Sequence, residues 1–383
     1  MSGEAEQPDD EDCDVYSVHV DTIEEVIEDA RLGKLFILVD DQNRENEGDL
    51  CVIGEYADAE AVNFMAKYGR GLICLALTRD RTEELGLAMM DTRNQSRHQT
   101  AFTVSIEARE GVTTGISAAD RAQTIQTAID PLCNDRDITT PGHVFPLVAR
   151  DGGTLVRAGH TEAVVDIARL AGSTAPSGVI CEIMKDDGSM ARLSDLVSFA
   201  EEHDLKIGAI ADLIAWRRRN ETLVSRLTET VIETEFGGSW RLMVYRNDIT
   251  EVEHLVMIKG TVDTEKPVLV RMHALDLMVD LLGEKRSQRR HGELQRAMQI
   301  IADEGAGVIV LLRDGASSGL SQLIATRMGD DKSGSHELRD YGVGAQILND
   351  LNITDMVLLS NSKPTVIGLD GYGLSISGWK PIS

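Results

Sequence analysis

Leu35-Phe36-Ile37-Leu38-Val39 is an apolar run of strand length, and it breaks without transition into Asp40-Asp41-Gln42-Asn43-Arg44-Glu45-Asn46-Glu47-Gly48-Asp49. A short continuous apolar run fits a strand buried on both faces, the situation of a sheet covered by helices. Five carboxylates crowded around one arginine at the end of such a strand pose a chemical question as well as a structural one. Upstream, Thr22 is followed three residues later by Glu25, and Ile23, Val26, Ile27 and Ala30 recur at helical spacing. A first helix is expected to run to about Leu32 and stop at Gly33. Downstream the patterns alternate: helix over 57–68, strands over 71–77 and 101–107, helix over 117–129, a Thr-Thr-Pro-Gly-His loop at 139–143, helix over 161–170, strand over 179–184, and helices over 192–203 and 210–218. This alternation is that of a mixed α/β fold.

At 383 residues the chain exceeds one ordinary core, so two domains are expected. Past Arg217-Arg218-Arg219-Asn220 the character changes to successive strands at 231–234, 240–246 and 254–258, which places the boundary near residue 220. Strands over 267–272, 308–312 and 355–359 and helices over 293–304 and 341–349 complete the second part. No uncharged apolar stretch reaches the roughly 20 residues of a membrane span. Residues 1–14 form an acidic tail without a basic, then apolar leader, so a cytoplasmic protein is expected. The five cysteines, Cys13, Cys51, Cys74, Cys133 and Cys181, form no CxxC pair, which leaves a zinc knuckle unsupported. The net charge of −26 repels nucleic acid, and an anionic substrate would need a local basic pocket.

The acidic segment admits three readings. It is an exposed turn, or a calcium loop, or an active-site loop in which a carboxylate binds magnesium or manganese while Arg44 holds a phosphate or polyol. The calcium reading fails in both registers: starting at Asp41, Asn46 stands where the tight-turn glycine belongs, and starting at Asn43, Gly54 stands at the glutamate position. Two histidine loops lie in the same half, Thr140-Pro141-Gly142-His143 and Arg157-Ala158-Gly159-His160-Thr161-Glu162. The second offers a cation, small residues, backbone N–H groups and a hydroxyl at a helix start, which together make the basic pocket that the net charge demands. Glu182 lies inside the apolar run 178–184, where it is either an outward-facing edge residue or a paired functional carboxylate.

These segments, with His98-Gln99-Thr100-Ala101-Phe102-Thr103-Val104-Ser105, Thr114-Gly115-Ile116-Ser117-Ala118-Ala119-Asp120-Arg121, Pro141-Gly142-His143-Val144-Phe145-Pro146-Leu147 and Cys181-Glu182, closely resemble 3,4-dihydroxy-2-butanone 4-phosphate synthase. Six motifs in the family's order across about 200 residues carry the resemblance. It implies an α/β, mixed-sheet synthase domain over 15–220 that converts D-ribulose 5-phosphate to 3,4-dihydroxy-2-butanone 4-phosphate and formate in riboflavin biosynthesis. Two divalent ions, magnesium or manganese, would be held by Glu45 and His160. Substrate would be bound by Arg44, Glu45, Asp49, Arg157, Ala158, Gly159, His160, Thr161 and Glu182, with His143, Glu182 and Asp49 as proton-transfer residues. The resemblance further implies a homodimer with active sites at the subunit interface.

Residues 221–383 resemble GTP cyclohydrolase II, another α/β domain, most clearly at His336-Glu337-Leu338-Arg339-Asp340-Tyr341-Gly342-Val343-Gly344-Ala345-Gln346-Ile347-Leu348 and Gly368-Leu369-Asp370-Gly371-Tyr372-Gly373-Leu374. That family holds a zinc ion with three cysteines, whose positions here fall on Asp276, Ser287 and Arg289. Serine is a poor ligand and arginine repels a cation, so no zinc is expected. The nucleotide loop is replaced by Gly315-Ala316-Ser317-Ser318-Gly319, and its downstream lysine falls near Thr365. The expectation is an inactive domain. The alternatives are a bifunctional enzyme with residual GTP cyclohydrolase II activity and a nucleotide-sensing regulatory module.

Overall fold

The computed structural model describes residues 20–42, 44–91, 100–284, 292–313, 334–361 and 373–382, with only the backbone of 334–341. The acidic tail, His98, Gln99, Ser287, Arg289, the 315–319 loop, Thr365 and 368–372 lie outside the described residues. The chain forms two compact units, Met1–Arg217 and Arg218–Ser383.

In the first unit helix α1 (Ile23–Arg31) opens on a complete capping box between Thr22 and Glu25. Strands β1 (Phe36–Val39) and β2 (Gly48–Ile53) form an antiparallel pair, so the acidic segment is the connection between them. Strands β3 (Cys74–Leu77), β4 (Ile106–Ala108), β5 (Ile138–Val148), β6 (Ser177–Glu182) and β7 (Ile207–Ala209) complete a mixed sheet in the order β4-β5-β3-β6-β2-β1-β7. One face packs on α1 and α5 (His160–Leu170) through Phe36, Leu38, Cys51, Val26, Ile27, Val164 and Ile167. The other packs on α2 (Ala59–Phe64), α4 (Ala118–Ile129) and α6 (Leu193–His203) through Ile37, Leu50, Val52, Val62, Ile125 and Leu196. Cover on both faces is why β1 and β2 read as apolar runs rather than alternating ones.

The Thr-Thr-Pro-Gly-His segment, expected as a loop, lies inside β5. The ladder to β4 jumps from Val144↔Ile106 to Thr139↔Glu107, so residues 140–143 bulge from a strand that continues on both sides. Gly142 is needed there, because a Cβ would run into the Ile106 carbonyl. The strand expected over 101–107 is shorter, reduced to β4 and isolated bridges at Phe102 and Thr103. Strands β2 and β7 and the short helix α3 (Arg79–Glu84) were not foreseen.

Helix α7 (Ile210–Asn220) crosses the unit boundary. The second unit holds strands β8 (Val224–Thr234), β9 (Gly238–Asn247), β10 (Glu253–Lys259), β11 (Val268–Ala274), β12 (Gly307–Leu312), β13 (Asp355–Leu359) and β14 (Ser375–Lys380) in the order β14-β13-β11-β12-β10-β9-β8. Helices α8 (Glu293–Glu304) and α9 (Gly334–Asp350) belong to the same unit. Strands β8 to β10 form an antiparallel meander, and β11 to β14 pair in parallel apart from the antiparallel join of β10 to β12. Among the described residues no helix is long and apolar enough to cross a membrane.

Candidate active site

The register of the first sheet brings Asp49 and Glu182 side by side at one end. Leu38 pairs with Asp49, and Asp49 with Glu182 across β2 and β6. Strand alternation puts Asp49 on the side of Cys51 and Glu182 on the side of Ile180, both of which belong to the core beneath α5. The N-terminus of α5 lies there, and the His160 ring contacts the Leu38 carbonyl through Nε2 at 3.2 Å. That hydrogen bond fixes the ring and leaves Nδ1 facing Glu45, whose Oε2 is 3.8 Å away. Asp49 is buried, and its Oδ1 stands 3.8 Å from His160 Nε2, too far for a hydrogen bond.

Asp40 organises the connection between β1 and β2. Its Oδ2 accepts from Arg44 Nη1 at 2.9 Å and Glu45 N at 3.0 Å, and its Oδ1 accepts from Glu47 N at 2.9 Å. Arg192, at the start of α6, donates to the carbonyls of Glu45 and Asn46 from the other side. Glu45 is therefore held from two elements. Asp40, Glu45 and His160 place ligand atoms within 4.8 Å of one another. Two carboxylates and one imidazole suit a hard or borderline divalent cation. The oxygen Asp49 Oδ1, buried without a hydrogen-bond partner among the described residues, fits a site completed by a charged or polar guest.

The electrostatics agree with that reading. Burial pushes the Asp49 carboxyl up to about 7, helped by the charges of Glu182 and Glu45 and opposed by His160. Burial and the charge of Glu45 raise Glu47 as well. For His160 burial favours the neutral ring, but Asp49, Glu45 and Asp40 outweigh it and lift the ring to about 9. A ligating imidazole must be neutral, so His160, as a metal ligand, would give up its proton on binding at neutral pH. Titrating magnesium into the protein at pH 7.5 in buffers of different ionisation enthalpy is expected to show release of about one proton per site or more, with affinity falling as pH drops. Zero release would contradict this coupling.

Arg44 and Arg157 converge over the first turn of α5. A Cβ added to Gly159 would collide with Arg157 Nη1 and stand 2.9 Å from Glu162 Oε2 and 3.0 Å from Arg44 Nη2. Gly159 leaves room for two guanidinium groups close to the helix N-terminus, an arrangement suited to a phosphate. Thr161 is buried in that first turn. Glu182 is not the edge residue of the simpler reading: it ends the interior strand β6 and accepts from Leu72 N at 2.8 Å.

His143 lies on β5, three strands from β2 in the sheet order, and is not one of the Asp40–Glu45–His160 group. It lies in the β5 bulge with its ring 43% exposed, and its Nδ1 is 2.6 Å from Glu107 Oε2. A carboxylate on Nδ1 orients the ring and leaves Nε2 for proton transfer. Asp40, Glu107 and Glu162 were given no role by sequence reading. Glu107 is the hardest of the three to foresee, since its partner lies 36 residues away across the register jump.

In the second unit the Asp276 carboxylate accepts from Met278 N at 3.0 Å and Val279 N at 3.3 Å, capping the turn Leu277–Leu281. Asp280 Oδ2 accepts from Asp276 N at 2.8 Å and lies 3.0 Å from His273 Nε2. Beside them Arg271 and Glu293 form a buried pair at 3.1 Å, and Glu293 also takes Asn361 Nδ2 at 2.9 Å.

This chain matches the family 3,4-dihydroxy-2-butanone 4-phosphate synthase over residues 24–216 and GTP cyclohydrolase II over residues 225–381. It is 48% identical over 376 residues to riboflavin biosynthesis protein RibBA of Aquifex aeolicus, a match spanning 94% of this chain and 92% of that protein. Among solved structures, RibBX, a two domain 3,4-dihydroxy-2-butanone 4-phosphate synthase from A. baumannii, is 39% identical with a TM-score of 0.72, covering 94% of this chain and 99% of that one. A 3,4-dihydroxy-2-butanone 4-phosphate synthase in complex with two magnesium ions is 40% identical with a TM-score of 0.50, covering 52% of this chain and 98% of that one. An α/β enzyme whose carboxylates and histidine meet at the end of one mixed sheet is the class defined by this fold and site. The chain belongs to the 3,4-dihydroxy-2-butanone 4-phosphate synthase family.

Proposed function

We propose that the first unit converts D-ribulose 5-phosphate to 3,4-dihydroxy-2-butanone 4-phosphate and formate, a lyase step of riboflavin biosynthesis, and that Glu45 and His160 hold its divalent metal. The approach of Asp40, Glu45 and His160 beside the buried oxygen of Asp49 carries this reading. A relative crystallised with two magnesium ions supports magnesium, and manganese, with the same oxygen preference, is the alternative. Bound there, the metal would draw charge from the oxygens of the ketose.

The other tasks fall to side chains. Arg44, Arg157 and the first turn of α5 hold the phosphate and so place the carbon chain over the carboxylates. Asp49, shifted to about 7, is suited to take and return a proton at neutral pH. Glu182 is positioned opposite it by the β2–β6 register. Conversion of a five-carbon ketose phosphate to a four-carbon keto phosphate and formate consumes no net water and no external oxidant, so these groups supply proton transfers around an internal carbon–carbon rearrangement and no co-reactant. Appearance of a four-carbon keto phosphate in equal amount with formate tests the assignment, and a five-carbon product would overturn it.

The active form in this reading is a homodimer that shares its sites, with His143 serving the neighbouring subunit. The exposure of His143 and its place on β5, three strands from β2 in the sheet order, support this. His143→Ala and Glu45→Ala would each be inactive. Refolded together in equal amounts they are expected to regain about a quarter of wild-type activity, because half the dimers are mixed and each of these has one intact site. No recovery would place His143 in its own subunit's site.

The second unit is proposed to be catalytically silent, serving assembly, stability or regulation. Asp276, at a position where the related family has a cysteine, already has its carboxylate engaged as a cap. Those oxygens do not reproduce a thiolate zinc site, and no step is assigned to a metal there.

A further inference from the structure

We infer that Glu162 is a positioning residue that aims the Arg157 guanidinium at the phosphate end of the substrate. The inference rests on the assignment of Arg157 to the phosphate. Glu162 occupies the third position of α5, where a glutamate ordinarily reaches back to the cap. Here the cap is Gly159, which makes no side-chain hydrogen bond, and the carboxylate turns elsewhere. Its Oε2 takes Arg157 Nη1 at 2.6 Å, and its Oε1 takes Arg150 N at 3.1 Å. The side chain is 1% exposed against 17% for Arg157, so this is a buried charge-assisted contact rather than a surface pair.

The surroundings give the contact a purpose beyond packing. Arg44 Nη2 and Arg157 Nη1 approach the same point above Gly159, and two guanidinium groups that close need carboxylates to hold them there. Glu162 holds one of them from behind, and Thr100 Oγ1 fixes its other nitrogen, Nη2, at 3.2 Å. Arg44 is restrained in the same manner by Asp40 and Glu45. Each arginine therefore meets the phosphate already oriented, and the rotamer freedom of a long side chain is lost on folding rather than on binding.

The test compares Glu162→Gln, Arg157→Ala and the double variant in the full-length protein with magnesium. Glutamine keeps an acceptor for Arg150 N but removes the charge that holds Arg157. Expected for Glu162→Gln are a KM for ribulose 5-phosphate raised about tenfold, kcat within about twofold, and a Ki for inorganic phosphate as competitive inhibitor weakened by the same factor. Magnesium affinity should stay unchanged. The double variant should be no worse than Arg157→Ala alone. If the two effects instead multiply, or if kcat falls while KM holds, Glu162 acts on the fold and the inference is overturned. An unchanged KM in Arg157→Ala would defeat the phosphate assignment itself, a separate failure. Should Glu162→Gln not fold, Glu162→Asp, which keeps the charge but shortens the reach by one methylene, is expected to raise KM with the same non-additivity.

Discussion

Glu45→Ala and His160→Ala, which remove the two proposed metal ligands, are each expected to lose formate release from ribulose 5-phosphate by on the order of a thousandfold or more. The two should differ in stability. Glu45 lies among Asp40, Glu47 and Asp49, and its charge raises the pKa of Glu47 and Asp49, so removing it relieves repulsion in the metal-free protein. His160 is 4% exposed and is the cation that those acids surround. Its loss leaves buried carboxylates uncompensated and should cost about 1–3 kcal/mol at neutral pH. Wild-type protein should gain roughly 3 kcal/mol of stability at a hundredfold excess of magnesium over Kd, and neither variant should show that gain. Thermal melts with and without magnesium check this. A full magnesium shift or normal turnover in either variant would refute the ligand assignment.

The second large effect is an absence. Purified protein is expected to contain no stoichiometric zinc and to release no formate from GTP, with or without added zinc. Of the three positions where the related family has cysteine, Ser287 and Arg289 lie outside the described residues, and sequence alone argues against them as ligands. Asp276 is described, and its oxygen caps the Leu277–Leu281 turn. The groups beside it are engaged with one another: Asp280 with His273 and the Asp276 N–H, Arg271 with Glu293, and Glu293 with Asn361. Inserting a zinc ion would require breaking that arrangement without thiolates to replace it. Elemental analysis showing one zinc per chain, together with zinc-dependent formate from GTP, would make the protein bifunctional after all.

Local signals were the ones a reader of the sequence could use. The Thr22–Glu25 capping box, the apolar run ending at Val39 and the helix over 293–304 depend on neighbours along the chain, and they stand where the pattern puts them. The candidate site was legible as a set of residue types because the motifs that carry it are ordered and dense. What could not be read was pairing across the sheet. Glu182 had two readings until the β2–β6 register set it against Asp49 at the end of an interior strand. Strand β2 was hidden because its Gly48-Asp49 start looks like the tail of the acidic segment, although Leu50 to Ile53 is as apolar as β1. The β5 bulge misled for the opposite reason: Pro141 and Gly142 are breakers by type, and only the partner strand shows that the chain resumes its ladder beyond them. Glu107 and Glu162 lacked a signal, since a glutamate in a strand or in a first helical turn is ordinary until its arginine or histidine is seen.

The most direct test of the central claim is formate release from ribulose 5-phosphate by the purified full-length protein, measured with magnesium and again after chelation. The expected result is one formate for each ketose phosphate consumed, abolished by the chelator and restored by magnesium. Consumption without formate, or formate release indifferent to the chelator, would contradict it.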